Sequence, residues 1–173
     1  MKHGDKAPEF SLPATDGKTY SLADFKEAKA VLVVFMCNHC PYVHPKIEEM
    51  KRITADFKDQ GLVVVGINSN EDINYPDDSF ENMKKVAAEK GFNFIYLRDE
   101  SQDVANAYSA VCTPDPFLFD AEFKLVFHSR IDDKHGEVGK VKELHQAIGE
   151  FLETRKITVE EQPSMGCSIK WKY

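Results

Sequence analysis

The chain has 173 residues, 42% of them hydrophobic and 29% charged, and a formal net charge of -7. A chain of this length can bury a substantial core, so we predict one domain over residues 1–173, and its acidity argues against nucleic acid as a main partner. No apolar run approaches the roughly 20 residues of a membrane span. The N-terminal segment lacks the apolar stretch of a secretory signal, so we expect a cytoplasmic protein without a membrane partner.

Several segments have the length and composition of β-strands. Asp16–Gly17 is a hairpin signal between two short extended pieces within residues 10–22. The other segments are continuous apolar runs, which are typical of strands covered on both faces of a sheet. These runs lie at 30–36, 62–68, 92–99, 116–120 and 124–130.

Apolar residues at helical spacing lie between and after these runs. The predicted helices span 40–59, 78–90, 101–108 and 137–152. Pro45 predicts a kink in the first, Ser101 is the expected N-cap of the third, and Val138 and Val141 are expected to face inward from the last. This order predicts an α/β fold with a central mixed sheet, parallel in the middle and antiparallel at one edge, and helices on both faces. We expect a core over about 1–154 and a non-helical C-terminal tail, 155–173, that packs on the domain.

Two cysteines lie three positions apart, in CNHC, where the first buried strand ends and a helix is predicted to begin. A helix N-terminus favours thiolate over thiol, and the spacing allows a disulfide. His39, between them, offers a donor that lowers a thiol pKa further. In a reducing cytoplasm, such a pair is typical of redox or metal-binding sites. We therefore predict Cys37 as an exposed, low-pKa nucleophile and Cys40 as the deeper, resolving thiol.

CNHCP between a strand and a helix, with a later Thr–Pro before an apolar strand, resembles the thioredoxin fold. The opening GDKAPEFSLPATDGKTYSLADFK is similar to the N-terminal hairpin of the branch that holds alkyl hydroperoxide reductases (peroxiredoxins) and TlpA-type oxidoreductases. FMCNHCPYV, TPDPFLFD, RIDD and GCSIKW together resemble a peroxiredoxin-like group of bacterial thioredoxin-family proteins over nearly the whole chain. The resemblance implies a thioredoxin-like domain with an N-terminal hairpin extension. It also implies thiol–disulfide oxidoreductase activity without an organic cofactor.

The resemblance further implies which residues surround the cysteine pair. Pro114 corresponds to the cis-proline that faces the pair in thioredoxin folds, and Thr113 is expected to contact the disulfide and the incoming substrate. Met36 and Asn38, on either side of Cys37, are further expected substrate contacts. The expected partners are a protein or small-molecule disulfide and a thiol reductant such as a thioredoxin system.

Other residues keep two interpretations. Cys112 is either a buried bystander or a third thiol near the pair, and Cys167 carries the same alternative. The acid that accepts the proton of the resolving thiol in related proteins has no counterpart, since Val43 stands at the TlpA-type position. His39, His44 or solvent would then have to accept that proton.

Two other functions stay open. In a thiol peroxidase, Cys40–Pro41 would match the Cys–Pro of the peroxiredoxin motif, with Cys40 attacking the peroxide and Cys37 resolving. The arginine of that family is replaced by Lys140 in the resembling segment EVGK, and Arg130 is a candidate substitute. In a metal carrier, both thiols and a histidine would bind the ion.

Overall fold

The computed structural model describes residues 1–172. Nine strands lie within these residues, and several are very short. In chain order they are β1 (Ser11–Pro13), β2 (Thr19–Ser21), β3 (Ala30–Phe35), β4 (Leu62–Asn68), β5 (Ile95–Arg98), β6 (Cys112–Thr113), β7 (Asp115–Asp120), β8 (Leu125–His128) and β9 (Cys167–Ser168).

Four α-helices lie in the described part of the chain. They are α1 (His44–Phe57), α2 (Phe80–Glu89), α3 (Asp103–Tyr108) and α4 (Glu143–Thr154). Gln102, rather than the predicted Ser101, occupies the N-cap position of α3. Within residues 1–172, no helix is long and apolar enough to cross a membrane.

The central sheet has five strands in the order β5–β4–β3–β7–β8. β3, β4 and β5 run parallel, whereas β7 is antiparallel to β3, and β8 is antiparallel to β7. The predicted mixed sheet is therefore confirmed. β1 and β2 form the predicted N-terminal hairpin, and β6 pairs with β9 in a separate two-stranded sheet.

The apolar core lies in two layers, one on each face of the sheet. Because alternate residues of a strand point to opposite faces, Leu32 and Val34 join the layer that contains α1 and α4, whereas Val33 and Phe35 join the layer that contains α3 and the N-terminal segment. Every residue of β3 is buried. The strand that leads into the cysteine pair is therefore fixed from both sides.

Helix α1 begins later than the sequence predicts. The N–H groups of Val43 and His44 donate to the Cys40 carbonyl at 3.0 and 3.2 Å, which forms a turn before the helix. Pro45 then lies in the first helical turn, where its missing N–H has no intrahelical partner, so the predicted kink is wrong. The cysteine pair consequently lies in the loop between β3 and α1, not in the first turn of the helix.

Helix α4 also begins later than predicted, at Glu143 rather than at residue 137. The preceding segment, 131–141, is a loop whose backbone is held by acidic side chains. The Asp133 carboxylate, for example, accepts the N–H of Val141 at 2.9 Å. Val138 and Val141, which were predicted to face inward, are exposed.

A buried ion pair joins α1 to this loop. Lys46 Nζ donates to the Asp132 carboxylate and, at 2.8 Å, to the Lys134 carbonyl, and both side chains of the pair are almost fully buried. Asp132 also accepts the N–H of Gly139 at 3.2 Å. Removing one partner of a buried pair leaves an uncompensated charge. The ion pair therefore holds the loop against the start of α1, close to the cysteines.

We predict that Lys46→Met lowers the free energy of unfolding by about 3–5 kcal/mol, because it leaves the Asp132 carboxylate buried without its main cation. Urea denaturation measures this change. The control is Lys124→Met, which removes an exposed pair with Glu122 at 3.2 Å and should cost no more than about 1 kcal/mol. Equal losses in the two variants would contradict a stabilising role for the buried pair.

Candidate active site

Cys37 and Cys40 are buried side by side at the carboxyl end of β3. Their exposed fractions are 1% and 2%, and both are free thiols. The prediction of an exposed Cys37 is therefore wrong. The segment around Thr113 and the β9 region of the C-terminal tail lie against the pair, and neither is adjacent to it in the sequence.

The Thr113–Pro114 segment lies against the pair, as the resemblance implied. Its peptide bond is cis. The Thr113 hydroxyl lies 3.7 Å from the Cys37 sulfur, close enough for a hydrogen bond between them. The role of Thr113 and Pro114 in binding substrate stays a prediction.

The surroundings of the two sulfurs favour opposite protonation states. The pKa of Cys40 is lowered to about 4, chiefly by the Cys37 thiol and to a smaller extent by the Cys167 thiol and the Tyr42 backbone N–H. Burial alone would raise this pKa. The pKa of Cys37 is raised by its hydrogen bond to Cys40, by burial and by the charge of Asp78. Cys167 and Tyr42 lower the pKa of Cys40, and Asp78 raises the pKa of Cys37. These groups outside the pair therefore widen the difference in acidity between the two thiols. These directions favour Cys40 as the thiolate of the pair, whereas the sequence predicted Cys37.

Asp78 is a buried acid that the sequence did not identify as part of the site. One carboxylate oxygen accepts the Asn38 N–H at 2.7 Å and the Asn68 amide at 3.1 Å. The other accepts the Asn70 amide at 3.0 Å and lies 2.8 Å from His39 Nδ1. In the sequence, Asp78 is the first residue of the helix predicted over 78–90, and nothing local marks it as functional.

The sulfur of Cys37, a ring nitrogen of His39 and a carboxylate oxygen of Asp78 all lie within 4.8 Å of one another. The cluster places an imidazole and a carboxylate beside Cys37, whereas the acid–base partner missing from the sequence was one for Cys40. His44 is not available for that role, because its Nε2 lies 2.6 Å from the Asn38 carbonyl and is engaged there. The same three groups are also a candidate metal-binding set, with Cys37 as its one thiol.

Met36 and Asn38 are both buried beside Cys37, and their role as substrate contacts stays a prediction. Met36 is fully buried, and its sulfur packs against Gly66. A Cβ atom added at Gly66 would lie only 2.6 Å from that sulfur. Asn38 donates to the Asp77 carbonyl at 2.8 Å and accepts the Tyr96 hydroxyl at 2.7 Å. Since neither side chain reaches the surface, both serve to hold the cysteine loop.

The remaining candidate thiols lie near the pair. The Cys167 thiol is within hydrogen-bonding reach of the Cys40 sulfur, so the tail brings a third cysteine to the site. Cys112 is half-buried, its sulfur lies 4.0 Å from the Pro114 carbonyl, and burial raises its pKa to about 12. A thiol in this state is a weak nucleophile.

Arg130 is held in an ion pair, and Lys140 is exposed. The Arg130 guanidinium bonds the buried carboxylate of Glu143. Lys140 is exposed, and its backbone N–H donates to Asp133 at 2.8 Å. Among the described residues, neither side chain makes a polar contact with the cysteines, so the expected substitute for the peroxiredoxin arginine is not in place.

Two similar proteins of known sequence have redox names. The chain is 31% identical over 110 residues to a Helicobacter pylori protein named as the peroxiredoxin bcp, a match that covers 64% of this chain and 67% of that protein. It is 30% identical over 126 residues to the thiol-disulfide oxidoreductase ResA of Bacillus subtilis, which covers 73% of this chain and 66% of that one. The chain thus spans about two thirds of each relative.

Two solved structures are similar to this protein in both sequence and fold. A conserved Geobacillus kaustophilus protein is 43% identical, has a TM-score of 0.93, and matches over 99% of this chain and 93% of its own. The thioredoxin domain of a Bacteroides vulgatus thiol-disulfide oxidoreductase is 27% identical, with a TM-score of 0.64 and coverage of 74% and 88%. The thioredoxin-like fold is confirmed. The model of the AhpC/TSA family matches residues 3–128, which is well over half of the chain, and the protein belongs to that family.

Proposed function

We propose that the protein is a thiol–disulfide oxidoreductase whose redox pair is Cys37 and Cys40. The observation that carries this proposal is the burial of two free thiols three residues apart, in the loop after β3 and against the cis Thr113–Pro114 segment. Such a pair can pass two electrons to a disulfide through its sulfur atoms alone, so no organic cofactor is needed. The relatives named ResA and peroxiredoxin support an oxidoreductase that acts on thiols.

The acidity of the two thiols favours an order of attack that differs from the one predicted from sequence. The Cys40 thiolate attacks one sulfur of the substrate disulfide, that disulfide breaks, and one substrate thiolate leaves. Cys37 then attacks the Cys40 sulfur of the mixed disulfide and releases the second substrate thiolate. Both sulfurs are buried in the loop before α1, so this order depends on their difference in acidity and not on exposure.

Asp78 and His39 are placed to accept the proton that Cys37 must lose in the second step. A thiol with a raised pKa is a poor nucleophile until a base takes its proton. The Asp78 carboxylate is within 4.8 Å of the Cys37 sulfur and 2.8 Å from His39 Nδ1. His39 is partly exposed and can pass the proton on to solvent.

The partners follow from this chemistry. The substrate is a disulfide in a protein or a small molecule, and the Cys37–Cys40 disulfide that forms must be reduced again by a thiol reductant such as a thioredoxin system. A reducing location such as the cytoplasm would supply that reductant, and it stays a prediction.

A thiol peroxidase is the second candidate, because Cys40 combines a lowered pKa with the Cys40–Pro41 sequence of the peroxiredoxin motif. The position of Arg130, bonded to Glu143, argues against efficient peroxide activation. A metal carrier has weaker support than either. The Asp78 oxygens of the candidate cluster already accept three hydrogen bonds from Asn38, Asn68 and Asn70.

The first prediction concerns the choice between substrates. We expect the reduced protein to lose its thiols rapidly to the small disulfide 4,4′-dithiodipyridine and slowly to hydrogen peroxide, because the Cys40 thiolate is ready but no arginine polarises a peroxide. Stopped-flow absorbance and thiol titration measure the two rates. Cys40→Ser should abolish the fast phase, and Cys112→Ser is the matched control that should keep it. A fast, saturable reaction with peroxide would instead move the protein to the peroxidases.

The second prediction tests the acidity of Cys40. With a pKa of about 4, Cys40 is already thiolate at pH 6, so its alkylation by iodoacetamide should rise less than about twofold between pH 6 and 8. An ordinary thiol, with a pKa near about 8.5, would rise roughly tenfold per pH unit over most of this range. Mass spectrometry of the peptide that holds both cysteines assigns the modified sulfur. A flat profile at Cys37 and a steep one at Cys40 would restore the order predicted from sequence.

The third prediction concerns Asp78→Asn. Removing the buried charge should lower the pKa of Cys37, so Cys37 alkylation should begin at lower pH. Formation of the Cys37–Cys40 disulfide after attack should nevertheless slow by at least about tenfold, because the proton acceptor is lost. Asp77→Asn, at an exposed neighbour, is the control. If Asp78 acts only through its charge, the rate of Cys37 alkylation and the rate of disulfide formation would both rise.

A further inference from the structure

The C-terminal tail is paired to the backbone segment that lies against the cysteines. β9 runs antiparallel to β6, with Cys167 opposite Thr113 and Ser168 opposite Cys112. The pairing continues where the Ile169 N–H donates to the Val111 carbonyl at 3.1 Å. Since the Thr113 hydroxyl lies 3.7 Å from the Cys37 sulfur, this register brings the side chain of Cys167 to the redox pair.

The residue before Cys167 permits this close approach. A Cβ added at Gly166 would lie 1.8 Å from the Thr113 carbonyl oxygen and 2.5 Å from its carbon. No side chain other than hydrogen fits at that distance, because the obstacle is backbone. Gly166 is thus required for the tail to reach Thr113 in this register.

The tail is anchored on both sides of Cys167. On one side, the Ser164 hydroxyl donates to the buried carboxylate of Asp115 at 2.8 Å. On the other, Ile169 is only 3% exposed, and the Lys170 N–H donates to the Asn70 side chain at 2.9 Å. These contacts fix the segment that carries the third thiol, so its place beside Cys40 follows from the fold.

Cys40 therefore lies between two thiols, Cys37 in its own loop and Cys167 in the tail. Cys167 packs against the core cluster that contains Cys37 and Cys40, and both neighbouring thiols lower the pKa of Cys40. Cys167 is also the more accessible of the two, since Cys37 is fully buried and Cys167 is half-buried. A mixed disulfide at Cys40 would therefore lie next to both thiols, and either thiol could attack it.

We propose that Cys167 is a third redox-active residue of the site, which resolves mixed disulfides at Cys40 and forms a Cys40–Cys167 disulfide. This inference rests on the proposed function. In the step, Cys167 gives up its proton and attacks the Cys40 sulfur. The bond between Cys40 and the substrate sulfur breaks, and the substrate leaves as a thiolate that takes up a proton. The two cysteines are oxidised by two electrons and the substrate disulfide is reduced to two thiols.

The test uses reduced full-length protein with one equivalent of 4,4′-dithiodipyridine. In Cys37→Ser, attack by Cys40 releases one thiopyridone, and resolution by Cys167 releases a second. We expect two equivalents from Cys37→Ser and from the control Cys37→Ser/Cys112→Ser. We expect one from Cys37→Ser/Cys167→Ser, whose mixed disulfide should persist at least about tenfold longer, because only a second chain can resolve it.

Peptide mapping identifies the bond. Trypsin places Cys37 and Cys40 in peptide 30–46, Cys112 in 99–124 and Cys167 in 157–170. A Cys40–Cys167 disulfide joins the first of these peptides to the last. Gly166→Ala should reduce this link, while attack by Cys40 still releases the first thiopyridone. Gly149→Ala, whose added Cβ meets only ordinary contacts at 3.5 Å, should leave the link unchanged.

The outcomes separate the inference from the proposed function. If Cys37→Ser stops at one thiopyridone while the unmodified protein forms a disulfide within peptide 30–46, the inference is overturned and the oxidoreductase stands. A link between peptides 99–124 and 157–170 would overturn it in favour of Cys112. If the unmodified protein releases no thiopyridone from Cys40, the proposed function itself fails. Thermal melting of each variant shows whether a loss reflects unfolding.

Discussion

A buried thiolate is stable only where hydrogen-bond donors replace the water that it has lost, and this requirement governs the arrangement of the site. The pKa of Cys40 is lowered by Cys37 in the same loop, by Cys167 in the tail and by Thr113 in the segment before β7. These groups come from three separate parts of the chain. The acidity of Cys40 therefore depends on the docking of the tail as well as on the sheet.

The opposite requirement holds for Cys37. It is buried beside the carboxylate of Asp78, which favours the neutral thiol. That carboxylate is itself buried and is stabilised by the side chains and backbone of neighbouring asparagines. A thiol held neutral beside a base and a thiolate supplied with donors form a pair with divided tasks, one ready to attack and the other ready to resolve.

The tail occupies the backbone edge at Cys112–Thr113, next to the cysteines. An extended substrate that pairs with a strand edge needs the same free N–H and carbonyl groups. Because β9 pairs with this edge, the tail already bonds the groups that such a substrate would use. Docking of the tail thus covers the edge and also brings Cys167 to Cys40.

The sequence by itself determined the layers of the fold and the principal reactive groups. Apolar runs identified β3, β4 and β5, and the spacing of Cys37 and Cys40, with the resemblance at Thr113–Pro114, located the centre of the site. The burial of Cys37, the contribution of Asp78 and the approach of Cys167 were decided only by tertiary structure. The physical reason is that periodicity and motif spacing report local faces of a helix or strand. By contrast, the pKa of a thiol depends on groups that long-range pairing brings to it, and that pairing carries no local signal.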